Sequence, residues 1–475
     1  MCIVIKANND FSGPSARGSR EQLATPSLNI LISPEGVQVV LTDHKIVHDS
    51  VHGGIRLEGV FLALLESPEL QRLHSIHQLG LAYLVYPGAN HTRFEHSLGT
   101  SSVAKRLCSS LKLSEDESLL VQCAALLHDV GHLPYSHTLE FVLHDRFGID
   151  HEAISRRLIR GEETVLSPRE ARLLGKQPSL PEILEKHGIE PKAVASLLEG
   201  GQRGPSAQKT LQGAKGQSHF NSKRYLSQLV SGPVDADQID YLKRDSHYTG
   251  VAYGVIDLDR LFQTVQIFNG DLVVERGGLS AVEGMLVARA LMFSAVYFHK
   301  TVRISELMLA KAVEQLGRDE IGTIHSMTDA SLLSYLVSKK GYFEETATQL
   351  KYRKLFKKAF AIGTGDVDDA HWHEIDSLGS VRARRGTEEE IARRAGIDPG
   401  HVIIDVPSSE LSVSEPRLSM TDIRILDDGK VKLLSRISPI AAALQARRPH
   451  EWAVMVACPA KHREKVSRAA ARILG

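Results

Sequence analysis

Three histidines and an aspartate lie close together in residues 126–137, which read "LLHDVGHLPYSH". His128 and His132 are four residues apart and would share one face of a helix running through both, and Asp129 adds a carboxylate beside them. Two imidazoles and a carboxylate suit a divalent cation. A single His-Asp pair is more often structural, so a metal site requires further ligands from other parts of the chain.

Two other segments offer such ligands. His96 lies upstream in "NHTRFEHSLGT", three residues after Arg93, where apolar residues begin to recur at helical spacing. Downstream, "DADQIDYLKRDSHYTG" predicts a helix with one polar face. That face is formed by four residues at i, i+4, i+7 and i+8: Asp237, Tyr241, Arg244 and Asp245. A solvated charged surface would show the same pattern, so the helix alone does not define a site.

Composition restricts the class of protein. The 475 residues carry a formal net charge of zero, with 42% hydrophobic and 24% charged residues, which is typical of a soluble globular protein. This balance gives no global electrostatic argument for nucleic-acid or membrane binding, so any anion site must be local. Four scattered cysteines without a CxxC pair favour a reducing compartment. We predict a cytoplasmic protein without a membrane-spanning segment.

The elements that carry these residues are predicted to be helices. Ser114 and Glu117 form a capping-box pattern, and the apolar residues that follow recur at helical spacing as far as His128. Pro134 cannot continue that helix, so we predict a break before it and a new helix beginning near Ser136. Two helices ending and beginning there would direct polar side chains into one space.

The chain is predicted to be mainly α-helical, with a helical core, short N-terminal β-strands and a smaller C-terminal α+β module. We divide it into residues 1–45, an extension with two β-like runs; residues 46–320, the helical domain; and residues 321–475, the α+β region. Within the helical domain, residues 201–222 are rich in Gly, Gln and Ser, and we predict a mobile insertion there. Asp428-Gly429 predicts a hairpin turn in the C-terminal region.

Six ordered segments resemble the HD-domain phosphohydrolases, and most closely their deoxynucleoside triphosphate triphosphohydrolase branch. They are "HDSVHGGIRL", "SPELQRLHSIHQLG", "YPGANHTRFEHSLGT", "LLHDVGHLPYSH", "DADQIDYLKRDSHYTGV" and "YFHKTVRISELML", and they cover roughly residues 46–310. The resemblance implies an HD-domain helical core. It also implies four metal ligands: His96, His128, Asp129 and Asp237. The ion implied is divalent, and manganese, magnesium, iron, zinc and nickel all accept these ligands.

The resemblance also implies a reaction. Water activated by the metal would attack the α-phosphorus of a dNTP and release inorganic triphosphate and a deoxynucleoside. His132, His137 and His151 would surround the α-phosphate, with His137 giving a proton to the departing 5′ oxygen. Glu140, three residues after His137, is expected to hold that imidazole and raise its pKa.

Six further positions match the family's substrate contacts: Gln78, Arg93, Tyr241, Asp245, Arg289 and Tyr297. The two arginines are expected to bind phosphate, because a triphosphate carries more negative charge than the metal site can offset. Tyr241 and Asp245 match residues that contact the polyphosphate and the sugar 3′-hydroxyl. Tyr297 is expected to stack on the sugar or base, and Gln78 to bond near the same hydroxyl.

The match departs from the family at three positions. Gln238 stands where the vertebrate members of this branch have a lysine that reaches the phosphates. Glu66 and His74 stand where other members have an aspartate and an arginine that bind an activating guanine nucleotide. A nucleotide activator is therefore left open. Because relatives form dimers and tetramers, we expect a homo-oligomer.

Two alternative functions remain at this stage. The first is another HD phosphohydrolase activity, on nucleoside monophosphates or cyclic nucleotides, because the metal motif alone specifies phosphate-ester hydrolysis and not one substrate. The second is a regulatory protein that senses nucleotides or binds nucleic acid. Its support is limited to basic clusters such as "RARRG", which are more often solvated surfaces.

Overall fold

The computed structural model describes residues 27–33, 36–42, 44–199, 223–367, 369–407, 423–446 and 451–475. The predicted insertion at residues 201–222 lies outside these ranges. In the part of the chain described, helices predominate and the sheets are small, which confirms the predicted fold class.

The helices have the following bounds: α1 Val60–Leu65, α2 Pro68–Arg72, α3 Arg93–Ser110, α4 Glu115–Leu127, α5 Glu140–Phe147, α6 His151–Ile159, α7 Pro168–Leu174, α8 Leu180–Lys186, α9 Pro191–Leu197, α10 Arg224–Val230, α11 Ala236–Thr249, α12 Leu258–Thr264, α13 Leu279–Met292, α14 Lys300–Glu314, α15 Arg318–Gly322, α16 Asp329–Ser338, α17 Gly341–Lys351, α18 Asp369–Ser377, α19 Val381–Ala395, α20 Leu434–Ile437, α21 Pro439–Ala446 and α22 Arg463–Leu474. The strands are β1 Ser27–Ser33, β2 Gly36–Thr42, β3 His44–Asp49, β4 Gly53–Glu58, β5 Val265–Phe268, β6 Asp271–Glu275, β7 Lys357–Gly363, β8 Ile403–Asp405, β9 Arg424–Asp427, β10 Lys430–Leu433 and β11 Trp452–Cys458.

Three helices, α3, α4 and α11, pack together at the centre of the helical domain. The first two begin with complete capping boxes, at Thr92 with Glu95 and at Ser114 with Glu117, so the second confirms the sequence prediction. Helix α11 begins after Asp235, whose carboxylate accepts the backbone N–H of Gln238. These caps satisfy N–H groups that would otherwise lack partners, and they determine where each helix begins.

The chain turns sharply after α4, as predicted. His128 is the C-cap of that helix, and Tyr135 and Ser136 have left-handed backbones with φ of 59° and 57°. A 3-10 turn then begins at Ser136 and leads into α5. The loop between the two helices therefore carries His132 and ends just before His137.

The C-terminal region contributes to two sheets. Strands β9 and β10 form the predicted hairpin, with Asp428 and Gly429 at positive φ, and β9 pairs in parallel with β6 of the helical domain. Strands β7, β11 and β8 form a separate antiparallel sheet that packs with α19 and α22 around a second apolar core. The two regions are thus joined through a shared four-stranded sheet.

One helical stretch, Arg276–Tyr297, is long and apolar enough to cross a membrane by length and composition. The sequence analysis did not identify this stretch. It includes α13, whose side chains Val282, Met285 and Arg289 are fully buried against neighbouring helices. We therefore describe it as a core helix.

Candidate metal and hydrolytic centre

Four side chains from three helices meet at the centre of the helical domain. His96 comes from α3, His128 and Asp129 from the end of α4, and Asp237 from the first turn of α11. His96 Nε2 lies 2.9 Å from Asp237 Oδ1, and His128 Nε2 lies 3.2 Å from Asp129 Oδ1. Within this set, the remaining ring-to-carboxylate distances, from His96 to Asp129 and from His128 to Asp237, are 3.7 Å.

The donor atoms of this group fit a divalent cation. Nε2 of His96 and Nε2 of His128 are both buried without a hydrogen-bond partner, although they face carboxylate oxygens. Buried polar atoms are rarely left unpaired unless a ligand or water completes them. Two imidazole nitrogens and two carboxylates are also a donor set that first-row divalent metals accept. These side chains could therefore hold a divalent metal ion.

The pKa values of the clustered side chains also favour a bound cation. Burial lowers the pKa of His96, but the Asp237 and Asp240 carboxylates beside its ring outweigh it and raise the pKa to about 10. Burial would likewise raise the pKa of Asp129, yet Arg93 and the neighbouring imidazoles hold it well below its usual range. The carboxylates are thus kept ionised and attract positive charge, which protons or a metal can supply.

Asp240 supports the first of these ligands, and the sequence analysis did not identify it. Its carboxylate bonds His96 Nδ1 at 2.7 Å and His52 Nε2 at 2.6 Å, and it accepts two N–H bonds from Arg244 at 2.8 and 2.9 Å. Such a carboxylate fixes the ring orientation and leaves Nε2 for a metal. Helical spacing could have identified Asp240, because it follows Asp237 by about one turn of α11.

Arg244, one of the four residues of the polar face predicted for α11, forms buried ion pairs. Its guanidinium is fully buried and points to Asp240 and to Asp49 of β3, with Nη1 2.7 Å from Asp49 Oδ2. The prediction used helical spacing, which places Arg244 only about 20° round the helix from Asp237, but its long side chain reaches Asp240 and Asp49. Tyr241 and Asp245 both lie beside Tyr297.

Arg93 is almost fully engaged by the protein. It donates to Asp129 Oδ2 at 2.7 Å, to Ser136 Oγ at 2.8 Å and to the carbonyl of Gln78 at 3.3 Å. The structure thus places Arg93 as a support for Asp129 and for the loop after α4. Its expected contact with phosphate stays a prediction.

A second group of histidines adjoins the first. Ring nitrogens of His132, His137 and His151 lie within 4.8 Å of one another. Glu140 joins two of them, because its Oε2 is 2.9 Å from His137 Nδ1 and its Oε1 bonds His151 Nδ1. His132 stacks on His151 with ring centroids 3.9 Å apart, and its Nε2 lies 3.3 Å from Asp129 Oδ1. Asp129 therefore stands between the two groups.

The pKa values within this group diverge. Burial lowers the pKa of His151, but Glu140 outweighs it and raises the pKa to about 9. The expected contact between Glu140 and His137 is present, and Glu140 acts to raise the pKa of that ring. Displacement of water by the surrounding groups is the larger effect, although the side chain is 40% exposed, so the pKa of His137 is lowered overall and the expected net increase is wrong. Neutral His137 thus lies beside a charged His151.

A third group of side chains surrounds Asp245 and Tyr297. Asp245 accepts from His91 Nε2 at 2.7 Å through one oxygen and from the Tyr297 hydroxyl at 2.7 Å through the other. Tyr241 meets Tyr297 edge to face, with ring centroids 6.2 Å apart. The structure therefore brings these three predicted substrate residues together, although sequence reasoning missed the role of His91 in holding Asp245.

Gln78 and Tyr297 open onto a pocket beside His137. The pocket is lined by polar and apolar groups: Gln78, Leu79, Gly80, Ala82, Tyr135, Ser136, His137, Thr138, Val296, Tyr297, Phe298, Val302, Arg303 and Glu306. The Oε1 atom of Gln78 is buried there without a hydrogen-bond partner. The lining combines apolar groups with polar ones, including the Arg303–Glu306 ion pair, and a mixed surface of this kind suits a sugar or base.

Arg289 and Gln238 contact each other. Arg289 Nη1 donates to Gln238 Oε1 at 3.1 Å, while the Gln238 amide donates to the Gly232 carbonyl and to Asp235 Oδ2. Gln238, which stands where vertebrate relatives have a lysine, thus accepts a hydrogen bond from Arg289. The phosphate contact expected of Arg289 remains a prediction.

Glu66 and His74, which match the activator-reading positions, do not face each other in a pocket. Glu66 is exposed and pairs with Lys45 at 2.8 Å, whereas His74 stacks on Phe94 with ring centroids 3.6 Å apart. Burial lowers the pKa of His74. Nucleotide activation stays a prediction.

Comparisons with known proteins agree with this fold. The HD domain model matches residues 93–213, and the HD associated region model matches residues 256–475. An uncharacterised protein of Methanocaldococcus jannaschii is 32% identical over 423 residues, which cover 87% of this chain and 79% of that protein. The human deoxynucleoside triphosphate triphosphohydrolase SAMHD1 is 26% identical over 432 residues, covering 83% of this chain and 64% of the human protein.

Two solved structures are similar. A hypothetical protein from Aquifex aeolicus has a TM-score of 0.65 at 29% identity, covering 90% of this chain and all of that one. A phosphohydrolase from Bacteroides thetaiotaomicron has a TM-score of 0.59 at 26% identity, covering 87% of this chain and 99% of that one. The chain therefore belongs to the HD-domain phosphohydrolase family.

Proposed function

We propose that the protein hydrolyses dNTPs to a deoxynucleoside and inorganic triphosphate. The observation that carries this proposal is the adjacency of the His96/His128/Asp129/Asp237 cluster to a three-histidine group and to a pocket of mixed polar and apolar lining. A dNTP has three parts that need such surroundings: a reacting α-phosphate, a charged polyphosphate and a sugar with its base. The name of the human relative, a deoxynucleoside triphosphate triphosphohydrolase, supports the same substrate.

The metal cluster would assist the attack on phosphorus. These four side chains would hold a divalent cation, which would supply Lewis-acid activation of a water molecule and of a phosphate oxygen. Arg93 and Asp240 keep the Asp129 carboxylate and the His96 ring in position. The donor set accepts manganese, magnesium, iron, zinc or nickel, and elemental analysis of the purified protein identifies which ion is bound.

The histidine group would handle the leaving oxygen. The new bond forms between the water oxygen and the α-phosphorus, and the bond from that phosphorus to the 5′ oxygen breaks. His137 has Nδ1 bonded to Glu140, which leaves Nε2 to give its proton to the 5′ oxygen. Burial lowers the pKa of His137 in the free protein, but a bound polyphosphate would favour the protonated ring and raise that pKa. Charged His151 would offset phosphate charge.

A substrate with fewer phosphates is the second candidate. Gln238 is neutral and accepts a hydrogen bond from Arg289, so this pair offers a polyphosphate less positive charge than a lysine and an arginine would. A nucleoside monophosphate would need less positive charge than a triphosphate. Self-association and a nucleotide activator remain predictions under either candidate.

The test is a product assay. Purified protein is incubated with each of the four dNTPs, singly and in pairs, with Mn²⁺ or Mg²⁺, and products are separated by ion exchange. We expect deoxynucleoside and intact triphosphate, lost in Asp129→Ala and kept in Asp259→Ala, which alters an exposed aspartate paired with Arg106. Turnover of monophosphates alone would select the second candidate.

A further inference from the structure

The loop between α4 and α5 has a conformation that its own sequence does not favour. Residues 130–136, here called the α4–α5 loop, end in Tyr135 and Ser136, both with left-handed φ. Side chains with a Cβ avoid this region, and a bulky aromatic such as Tyr135 is a marked exception. Two consecutive residues of this kind persist only when surrounding contacts hold them.

Those contacts come from residues 327–329, almost two hundred positions along the chain. Asp329 is buried at the start of α16, and its Oδ1 accepts the Tyr135 backbone N–H at 2.6 Å. Its Oδ2 accepts the His77 N–H at 2.9 Å and contacts His77 Nδ1 at 2.6 Å. The carbonyl of His77 in turn accepts the Ser136 hydroxyl at 2.6 Å.

Arg72 holds the other end of the same loop. Its guanidinium donates to the carbonyls of Val130 and His132, at 3.0 and 2.7 Å, and to the carbonyl of Met327 at 2.8 Å. The segment that contains Met327 and Asp329 is therefore linked to both ends of the loop. His132 is itself one of the residues bonded by Arg72, and His137 directly follows Ser136.

We propose that Asp329, supported by Arg72, is a positioning residue that sets the conformation of the α4–α5 loop and so the placement of His132 and His137. Asp329 lies in the region matched by the HD associated model, whereas the loop lies in the HD domain. The C-terminal region thus acts on the hydrolytic centre through one carboxylate. The inference rests on the proposed function only for its kinetic readout.

The experiment compares Asp329→Ala with Asp329→Asn. Alanine removes every acceptor, whereas asparagine keeps one oxygen of the same reach for the Tyr135 N–H. Asp319→Ala is the matched control, because it removes an exposed aspartate from the first turn of the neighbouring helix α15. Hydrogen exchange of peptides covering residues 130–137 is measured by mass spectrometry, together with kcat and KM for dNTP hydrolysis and the bound-metal content.

We expect Asp329→Ala to speed exchange in the α4–α5 loop and to lower kcat by about 10- to 100-fold, with KM and metal content little changed. Asp329→Asn should lie between Asp329→Ala and wild type in both exchange and kcat, because it keeps the acceptor for the Tyr135 N–H but loses the acceptor for the His77 N–H. Unchanged loop exchange and kcat in the alanine variant would overturn the proposal. So would equal losses in both variants with exchange raised throughout the protein, which would indicate a general structural role.

Two provisions keep the result interpretable. If Asp329→Ala does not fold, Asp329→Ser replaces it, because the serine hydroxyl is too short to reach both His77 and Tyr135. If the wild-type protein cleaves no dNTP, the proposed function fails, but the exchange measurement still decides whether Asp329 holds the loop.

Discussion

Asp240 shows how a residue beside the candidate metal ligands can control them. It bonds the far nitrogen of His96 and is itself fixed by His52 and Arg244. We predict that Asp240→Asn weakens divalent metal binding by about 10- to 100-fold, because the amide no longer holds the His96 ring with its Nε2 free. The measurement is metal retained after titration with a chelator.

The control for this prediction is Asp259→Asn, which alters an exposed aspartate that also pairs with an arginine, Arg106. Its metal affinity should equal that of the wild type. Equal affinity in Asp240→Asn would contradict the role given to Asp240.

The carboxylate of Glu140 is expected to control how KM depends on pH, through the pKa of His151. With Glu140 present, His151 has a pKa of about 9, so it is positively charged at neutral pH and loses its proton as the pH rises through about 9. We predict that KM for a phosphate-bearing substrate rises over that range. In Glu140→Gln the raising effect is lost while burial still lowers the pKa, so the increase in KM should begin at a lower pH.

The measurement is KM against pH for both proteins under saturating metal. His144→Gln is a suitable control, since it changes a histidine of α5 outside the group. A KM profile that is the same in Glu140→Gln and wild type would argue against a charged His151 in substrate binding.

Among the elements, the crossing of α3 and α11 determines the distance between His96 and Asp237. Gly99 of α3 lies at this crossing, where an added Cβ would be 2.0 Å from Asp240 Oδ1 and 2.3 Å from Arg244 Nη2. We predict that Gly99→Ala separates the helices or breaks the Asp240–Arg244 pair. It should cost about 1–3 kcal/mol of unfolding free energy and reduce metal binding.

The comparison is Gly284→Ala, because Gly284 is in helix α13 with no atom near its missing Cβ. That variant should be stabilised by about 0.5–1 kcal/mol, since alanine favours the helix. Urea unfolding and metal titration distinguish the two. A neutral Gly99→Ala would show that the crossing tolerates a methyl group.

The sequence was informative about elements whose signals are local. The capping box at Ser114, the break at Pro134 and the hairpin at Asp428-Gly429 depend on neighbouring residues, and all three are present in the structure. Long-range partners could not be found in this way. Arg244 donates a hydrogen bond to Asp49, and Asp329 accepts one from the Tyr135 N–H, 194 positions away in the sequence. Tertiary packing determines such contacts.

In the candidate site, too, local motifs were predictable from the sequence and effects of the whole fold were not. Spacing and family motifs selected the histidines and aspartates that the structure brings together, since each motif is continuous in the chain. The net pKa of His137 was predicted in the wrong direction, because one hydrogen bond was weighed without the burial that opposes it. Burial depends on the whole fold and is not readable from a motif.

At the scale of the whole molecule, buried ion pairs join the C-terminal module to α14. Glu314 bonds Arg384 at 2.8 Å and Arg385 at 3.2 Å, and Lys311 pairs with Glu388. We predict that Glu314→Ala costs about 3–5 kcal/mol of unfolding free energy, because it leaves the buried Arg384 without this carboxylate. Chemical denaturation gives the value.

The control is Glu390→Ala, whose carboxylate pairs with the more exposed Arg393 and Arg394 on the surface of α19. It should cost no more than about 1 kcal/mol. Similar costs for the two variants would mean that the Glu314 pairs are no more important than surface pairs.

The central claim is hydrolysis at the α-phosphorus of a dNTP, and oxygen labelling tests it most directly. The protein is given a dNTP and Mn²⁺ in water enriched in heavy oxygen, and both products are analysed by mass spectrometry. We predict one heavy oxygen in the triphosphate, none in the deoxynucleoside, and no products from Asp129→Ala. Label in the deoxynucleoside, stepwise release of orthophosphate, or no cleavage of any dNTP would contradict the account.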